Sequence, residues 1–198
     1  MPKGTLVILS APSGTGKSTI CRKLLQKRKD LRYSISCTTR QPRPGEKDGK
    51  HYFFLTRDEF KRKIRRSEFL EWAVVHDEYY GTPRKYIEET LQGGSSIMLA
   101  IDVQGAAAIR RKMPDAVLVF VTPPSLESLR ERLAARRDSS ESVAKRLANS
   151  KDELSAAKHY DYIVVNDDLE KAVEQIEAIL TAESLKVGRQ EAPALTPA

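Results

Sequence analysis

The stretch Leu6-Val7-Ile8-Leu9-Ser10-Ala11-Pro12-Ser13-Gly14-Thr15-Gly16-Lys17-Ser18 decides how the rest of the chain is read. Its apolar run predicts a buried strand over 5–10, and the spacing of apolar residues beyond it predicts a helix over 18–29. Between the two lies a turn with glycine at positions 14 and 16. Glycines there let successive backbone N–H groups point inward, and the following helix adds the positive end of its dipole. Strand, glycine-rich turn, Gly-Lys-Ser and helix, in that order, form a cradle for phosphate oxygens. In a loop of this pattern Lys17 would reach the terminal phosphates, and the Ser18 hydroxyl would ligate a divalent cation.

Outward from this loop, short apolar runs recur over 96–101, 116–122 and 162–165. Helix-like stretches over 83–92, 103–112, 125–136 and 168–185 separate or follow them. Alternation of this kind predicts an α/β fold with helices covering a mainly parallel core sheet. Pro83 suits a first helical turn and Gly93-Gly94 a stop. Between 33 and 80 the pattern changes to short aromatic-bearing pieces, a Pro/Gly turn at 41–45 and a basic helix-like run at 58–66. This segment reads as a small lobe inserted into a core made of 1–32 and 81–187. Within the core, the charged helical stretch at about 132–155 reads as a lid, and 188–198 reads as a disordered tail.

A chain of 198 residues with 40% hydrophobic content can bury the core of one globular domain. Its net charge of +7 favours polyanionic partners, nucleotides and nucleic acids alike. No stacking-aromatic motif or groove-reading helix supports nucleic acid as a partner. Cys21 and Cys37 have neither a metal-type spacing nor the density of a disulfide scaffold, which fits a reducing cytoplasm. No apolar run is long enough for a membrane span, so the expectation is an unexported cytoplasmic protein. His51, His76 and His159 have no metal-binding spacing, and no Ser-His-Asp or Cys-His arrangement is evident.

The loop resembles the Walker A element of P-loop enzymes, which assigns Ala11, Pro12, Ser13, Gly14, Thr15, Gly16, Lys17, Ser18 and Thr19 to ATP. The pattern's first glycine is Ala11 here, a change that fits if position 11 has an ordinary negative φ. The loop names a nucleotide but not the acceptor. For the acceptor, Arg40 and Arg43 lie three residues apart in a turn stiffened by Pro42 and Pro44. Two guanidinium forks so placed can clamp a monophosphate bidentately. Taken singly, each arginine is equally well a solvated basic turn.

"TTRQPRPGE", "HYFF", "FLEWAVVHDEYYGT", "IDVQG" and "VND" occur in order along the chain. Together with the phosphate loop they resemble the ordered motifs of guanylate kinases. The resemblance implies a P-loop three-layer fold with a small GMP-binding lobe and a helical lid. It also implies transfer of the γ-phosphoryl group of Mg-ATP to GMP, and to dGMP, giving ADP and GDP. By position it assigns Ser36, Arg40, Arg43, Tyr52, Glu71, Tyr80 and Thr82 to GMP. Arg40, Arg43, Tyr52 and Tyr80 would hold its phosphate, and Glu71, Ser36 and Thr82 its base. The residue chemistry agrees at Glu71, because guanine presents adjacent N1–H and N2–H₂ donors that one carboxylate accepts together, and adenine does not. Such a site rejects the wrong base by roughly 10⁴-fold or more.

Asp102 ends an apolar run, where nucleotide-binding α/β sheets collect functional groups. It matches the second acid of the family's D-I-D strand end, where it would support Mg²⁺-bound water or orient the acceptor-site arginines at GMP; Ala100 replaces the first acid. The alternative is that Asp102 caps the helix starting near Val103. Positive groups must close over a transferred phosphoryl group. Arg132, Arg136, Arg137 and Arg146 are available, and the resemblance selects Arg136 and Arg146, with Arg137 as substitute for Arg136. Asn166 would contact adenine, or make a turn. The rival readings are a non-catalytic interaction module of the same fold, a nucleic-acid-binding protein, and a kinase for another nucleoside monophosphate.

Overall fold

The computed structural model describes residues 4–75, 77–135 and 140–190. Five parallel strands form the core sheet: β1 (Leu6–Ser10), β2 (Leu31–Tyr33), β7 (Ser96–Ala100), β8 (Val117–Thr122) and β9 (Tyr162–Val165), in the order β2-β7-β1-β8-β9. A separate mixed sheet holds β3 (Cys37–Thr38), β4 (Phe53–Phe54), β5 (Phe69–Val75) and β6 (Glu78–Pro83), in the order β4-β3-β6-β5. The helices are α1 (Lys17–Lys27), α2 (Arg57–Arg65), α3 (Arg84–Gln92), α4 (Val103–Lys112), α5 (Leu126–Ala134), α6 (Ser140–Ser155) and α7 (Leu169–Ser184).

The central strands are continuous apolar runs because both of their faces are covered. Side chains alternate across β1: Val7 and Leu9 join Ile20 and Leu24 of α1 and Val173, Ile176 and Leu180 of α7. Leu6 and Ile8 join Ile87 of α3 and Ala106 and Ile109 of α4 on the other face. This two-sided burial makes β1 the axis of the core, flanked by β7 and β8 in parallel register. Its carboxyl end therefore opens at the centre of the sheet edge where β7, β8 and β9 also end.

The predicted helices and strands of the core are present, with ends shifted by one or two residues. β2 was not foreseen: Leu31-Arg32-Tyr33 is too short to show a period, and it becomes a strand by pairing with β7. Pro83 closes β6 and precedes the first residue of α3. The small sheet has its own apolar centre, in which Phe60 of α2 stacks on Phe69 with ring centroids 4.4 Å apart and on Tyr79 at 5.2 Å. α2 is held at its start by a capping box between Thr56 and Glu59. Arg189, inside the stretch expected as a tail, donates to the buried Glu183 carboxylate at 2.9 Å and to the Asp115 carbonyl at 2.7 Å. Positions 191–198 lie outside the described residues.

Phe60 is fully buried, and with Cys37 and Phe69 it makes up the buried centre of the small lobe. Phe60→Ala is expected to cost about 3–5 kcal/mol, the range for emptying an aromatic core site. Urea unfolding followed by Trp72 fluorescence checks this, since Trp72 lies 6.1 Å from the Tyr79 ring in the same lobe.

Candidate active site

The phosphate loop joins β1 to α1. Gly14 and Gly16 have φ of 95° and 96°, the left-handed region open to glycine. A Cβ at Gly16 would also come within 2.7 Å of Asn166 Nδ2. The Thr15 N–H donates to the Pro12 carbonyl at 3.2 Å and closes the turn. Ala11 is not among the described residues with positive φ, and it is buried in the core, so alanine fits where the pattern has glycine. α1 starts without a side-chain cap, as does α3 after Pro83, whereas Thr56, Asp102, Ser125 and Asp168 cap α2, α4, α5 and α7. Its first N–H groups are thus left for an anion.

Lys17 Nζ donates to the Ile101 carbonyl at 3.0 Å, which ties the loop to the end of β7. Burial lowers its pKa, opposed by the nearby Cys21, Asp102 and Glu153. Ser18 is exposed at the first turn of α1 and Thr19 is half-buried beside it. Asp102 Oδ1 accepts from the N–H groups of Gln104 at 2.7 Å and Gly105 at 3.0 Å, so it does cap α4. The same residue lines a cavity of about 160 Å³ together with Lys17, Ser36, Tyr52, Glu71 and Tyr80. Ala100 lines it as well, beside Asp102. A larger cavity, about 810 Å³, opens elsewhere, beside Leu6, Leu91 and Val117. Charged groups on its wall are paired, Arg110 with Asp161 at 2.5 Å and Arg189 with Glu183 at 2.9 Å.

Glu71 is buried at the start of β5, 5% exposed, and its Oε1 accepts from the Thr82 hydroxyl at 2.5 Å. Burial pushes its carboxyl up to about 7, with the negative Asp102 adding to the rise and Thr82 and Lys112 opposing it. An acid so placed is costly to ionise until donors arrive. Arg40 lies 5.6 Å over the Tyr52 ring, and the Tyr52 and Tyr80 rings meet edge to face at 6.0 Å. Arg40 also pairs with Glu46 at 2.9 Å, and the Arg43 N–H donates to the same carboxylate at 2.7 Å. The Arg43 side chain is exposed at the rim of this turn.

α6 approaches the phosphate loop through the Arg146 side chain. Arg146 Nη1 is 3.4 Å from Ser13 Oγ. Arg136 and Arg137 lie outside the described residues. Arg132 belongs to α5 and donates to the Asn166 carbonyl at 3.0 Å. The buried Asn166 in turn donates from Nδ2 to the Thr15 carbonyl at 2.6 Å, bracing the loop from the end of β9.

Three residues of the site were missed in the sequence. Glu46 ties the arginine turn together, and its position three residues after Arg43 was the available signal. Glu153 of α6 sits near Lys17; burial raises its pKa, while Lys17 and the Ser13 backbone pull it down. Gly105 packs against Glu71, with the glycine of "IDVQG" as its only mark. Among the described residues no group of three His, Cys, Asp or Glu side chains could hold a metal ion, and no helix is long and apolar enough to cross a membrane.

Comparison with known proteins agrees with this geometry. The family model described as guanylate kinase matches residues 3–183. A guanylate kinase of Symbiobacterium thermophilum is 50% identical over 192 residues, covering 96% of this chain and 91% of the relative. One from Caldanaerobacter subterraneus subsp. tengcongensis is 48% identical over 190 residues, covering 96% and 92%. The crystal structure of guanylate kinase from Anaplasma phagocytophilum superposes with a TM-score of 0.82 at 38% identity, covering 96% of this chain and 91% of that one. A family match over nearly the whole chain, a parallel core sheet with a separate small sheet, and an intact phosphate loop agree, and the chain belongs to the guanylate kinase family.

Proposed function

We propose that this chain transfers the γ-phosphoryl group of Mg-ATP to GMP, with dGMP as a second acceptor, giving ADP and GDP. The observation that carries the reading is that Lys17 of the phosphate loop and the buried Glu71 open on one cavity. One end of that cavity suits phosphate and the other a base with two adjacent donors. Residues 11–19 cradle the phosphates of ATP, and Asn166 holds the loop in shape. Glu71, Thr82 and Ser36 read guanine, and Arg40, Arg43, Tyr52 and Tyr80 hold its phosphate. When that phosphate arrives, Arg40 exchanges Glu46 for it, a trade of one oxyanion for another at little cost.

The family implies Mg²⁺, and the donors at hand fit it. Ser18 offers an exposed hydroxyl and Asp102 a carboxylate beside Lys17, hard oxygen ligands for an ion held otherwise by water and phosphate oxygens. Bound there, Mg²⁺ supplies positive charge to the phosphates. Lys17 neutralises charge that develops between the β- and γ-phosphates, and Arg40, Arg146 and Arg136 surround the group in transit. Closure of the small lobe (33–80) and the lid (132–155) over both substrates excludes water and aligns the acceptor. The buried free thiols of Cys21 and Cys37 fit a reducing compartment, so the reading places the protein in the cytoplasm.

A coupled assay with ATP and each of GMP, dGMP, AMP, UMP and CMP tests the activity; turnover is expected with GMP and dGMP, and comparable turnover with AMP would overturn the base assignment. Lys17→Ala should lower kcat by roughly 10²-fold or more while leaving the melting temperature near that of the parent, since it removes charge stabilisation of the transferred group. Near-normal kcat in folded K17A protein excludes that role.

A pH profile tests Glu71. Its pKa is raised, so the proton must leave before the carboxylate can accept from guanine. The KM for GMP should therefore rise as pH falls below about 7, by up to about tenfold per unit, and level off above it. Glu71→Gln should raise the KM for GMP and flatten this profile, with the KM for ATP nearly unchanged. Equal rises in both KM values would show that Glu71 does not read the base.

A further inference from the structure

Gly105 is the third residue of α4, buried, with a φ that any L-residue can adopt. Glycine in that setting lowers helix stability relative to alanine. A close approach by another group is the physical reason to keep it. A Cβ built on Gly105 would lie 3.0 Å from Glu71 Oε2 and 3.3 Å from Glu71 Cδ, with Ile101 Cδ1 also at 3.3 Å. The helix cannot easily step back, because its start is fixed by the Gly105 N–H bond to Asp102 Oδ1 at 3.0 Å. Nor can the carboxylate easily step aside, because its other oxygen accepts from Thr82 at 2.5 Å. What remains is movement into the cavity that Glu71 lines.

We propose that Gly105 is a positioning residue for base recognition: the absent methyl is the space in which the Glu71 carboxylate lies deep enough to accept both donors of a guanine edge. The proposal rests on the reading of Glu71 as the base-reading acid. Oε1 spends one lone pair on Thr82 and keeps another for the base. Oε2, against the bare Cα of Gly105, is the oxygen that any side chain there would displace. A shift of a few tenths of an ångström toward the base tilts the carboxylate out of the plane that paired N–H donors require. ATP, held by the loop at the other end of the cavity, does not register the change. Gly105 touches no reacting atom, so its effect belongs in the KM for GMP and not in the KM for ATP.

The experiment compares the parent with Gly105→Ala, Glu71→Gln, Glu71→Asp and the double variant Glu71→Asp/Gly105→Ala, by melting temperature and by KM for GMP and ATP. Gly105→Ala should melt no lower than the parent and raise the KM for GMP by roughly 10- to 100-fold, the span of a disturbed hydrogen bond to a charged group. The KM for ATP should stay within about twofold, because no ATP contact changes. Aspartate is one methylene shorter and clears the added methyl, so in the Glu71→Asp background Gly105→Ala should change the KM for GMP little. An unchanged KM for GMP in Gly105→Ala, while Glu71→Gln raises it, overturns the role of Gly105 and leaves that of Glu71 standing. An unchanged KM for GMP in Glu71→Gln overturns both. Equal rises in the two KM values, or the same penalty from Gly105→Ala in the Glu71→Asp background, show a general packing defect and reject the proposal. Should Gly105→Ala not fold, recovery of folding in the double variant supports the contact, and failure of both to fold rejects it.

Discussion

The structure depends on a helix start that no side chain caps. α1 begins after two left-handed glycines with no side chain capping it, so the start of the helix and the positive end of its dipole face the turn of the loop. Such an end is unfavourable alone and has to be held in place by what surrounds it. β1 anchors it below, buried on both faces between β7 and β8. Lys17 reaches across to the Ile101 carbonyl, and Asn166 donates to the Thr15 carbonyl. The loop is thereby fastened to the ends of three strands.

A second unfavourable group stands opposite. Glu71 is a carboxylate in a poorly solvated position, with one neutral hydroxyl donor, a repelling acid and a more distant lysine. Desolvation raises its pKa to about 7, so that near pH 7 it is only partly ionised until a partner with paired donors appears. In the proposed reading, the uncapped helix and the undersolvated acid are complementary to the two ends of a substrate pair, phosphate and purine. Their joint presence on one cavity is a stronger indication than either alone, since uncapped helices and buried acids each occur for many reasons.

The small lobe and the core differ in how they are held. The core has two extensive apolar clusters on either face of its sheet, while the lobe has Phe60, Phe69 and Cys37 with a few partners. An element with so small an apolar centre opens at lower free energy than the core does. The residues that face GMP in the proposed reading sit mostly on this less stable part, and those that face ATP sit on the more stable one.

The sequence by itself determined the phosphate loop, the alternation of buried strands with helices, and the arginine turn, because each rests on local chemistry: apolar runs, glycines that permit left-handed φ, a strand-turn-helix order. The roles proposed for Lys17, Ser18, Arg40 and Glu71 rest on motif order along the chain. Tertiary structure decided the rest, because it depends on groups far apart in sequence. The strand status of Leu31-Arg32-Tyr33 exists only through pairing with β7, and the bracing of Thr15 by Asn166 spans 151 positions. Asp102, for which capping and a functional role stood as alternatives, caps α4 and lines the cavity at once. Gly105 gave no sign beyond its own identity, since the constraint on it is the Glu71 carboxylate arriving from another element, a distance that no periodicity records.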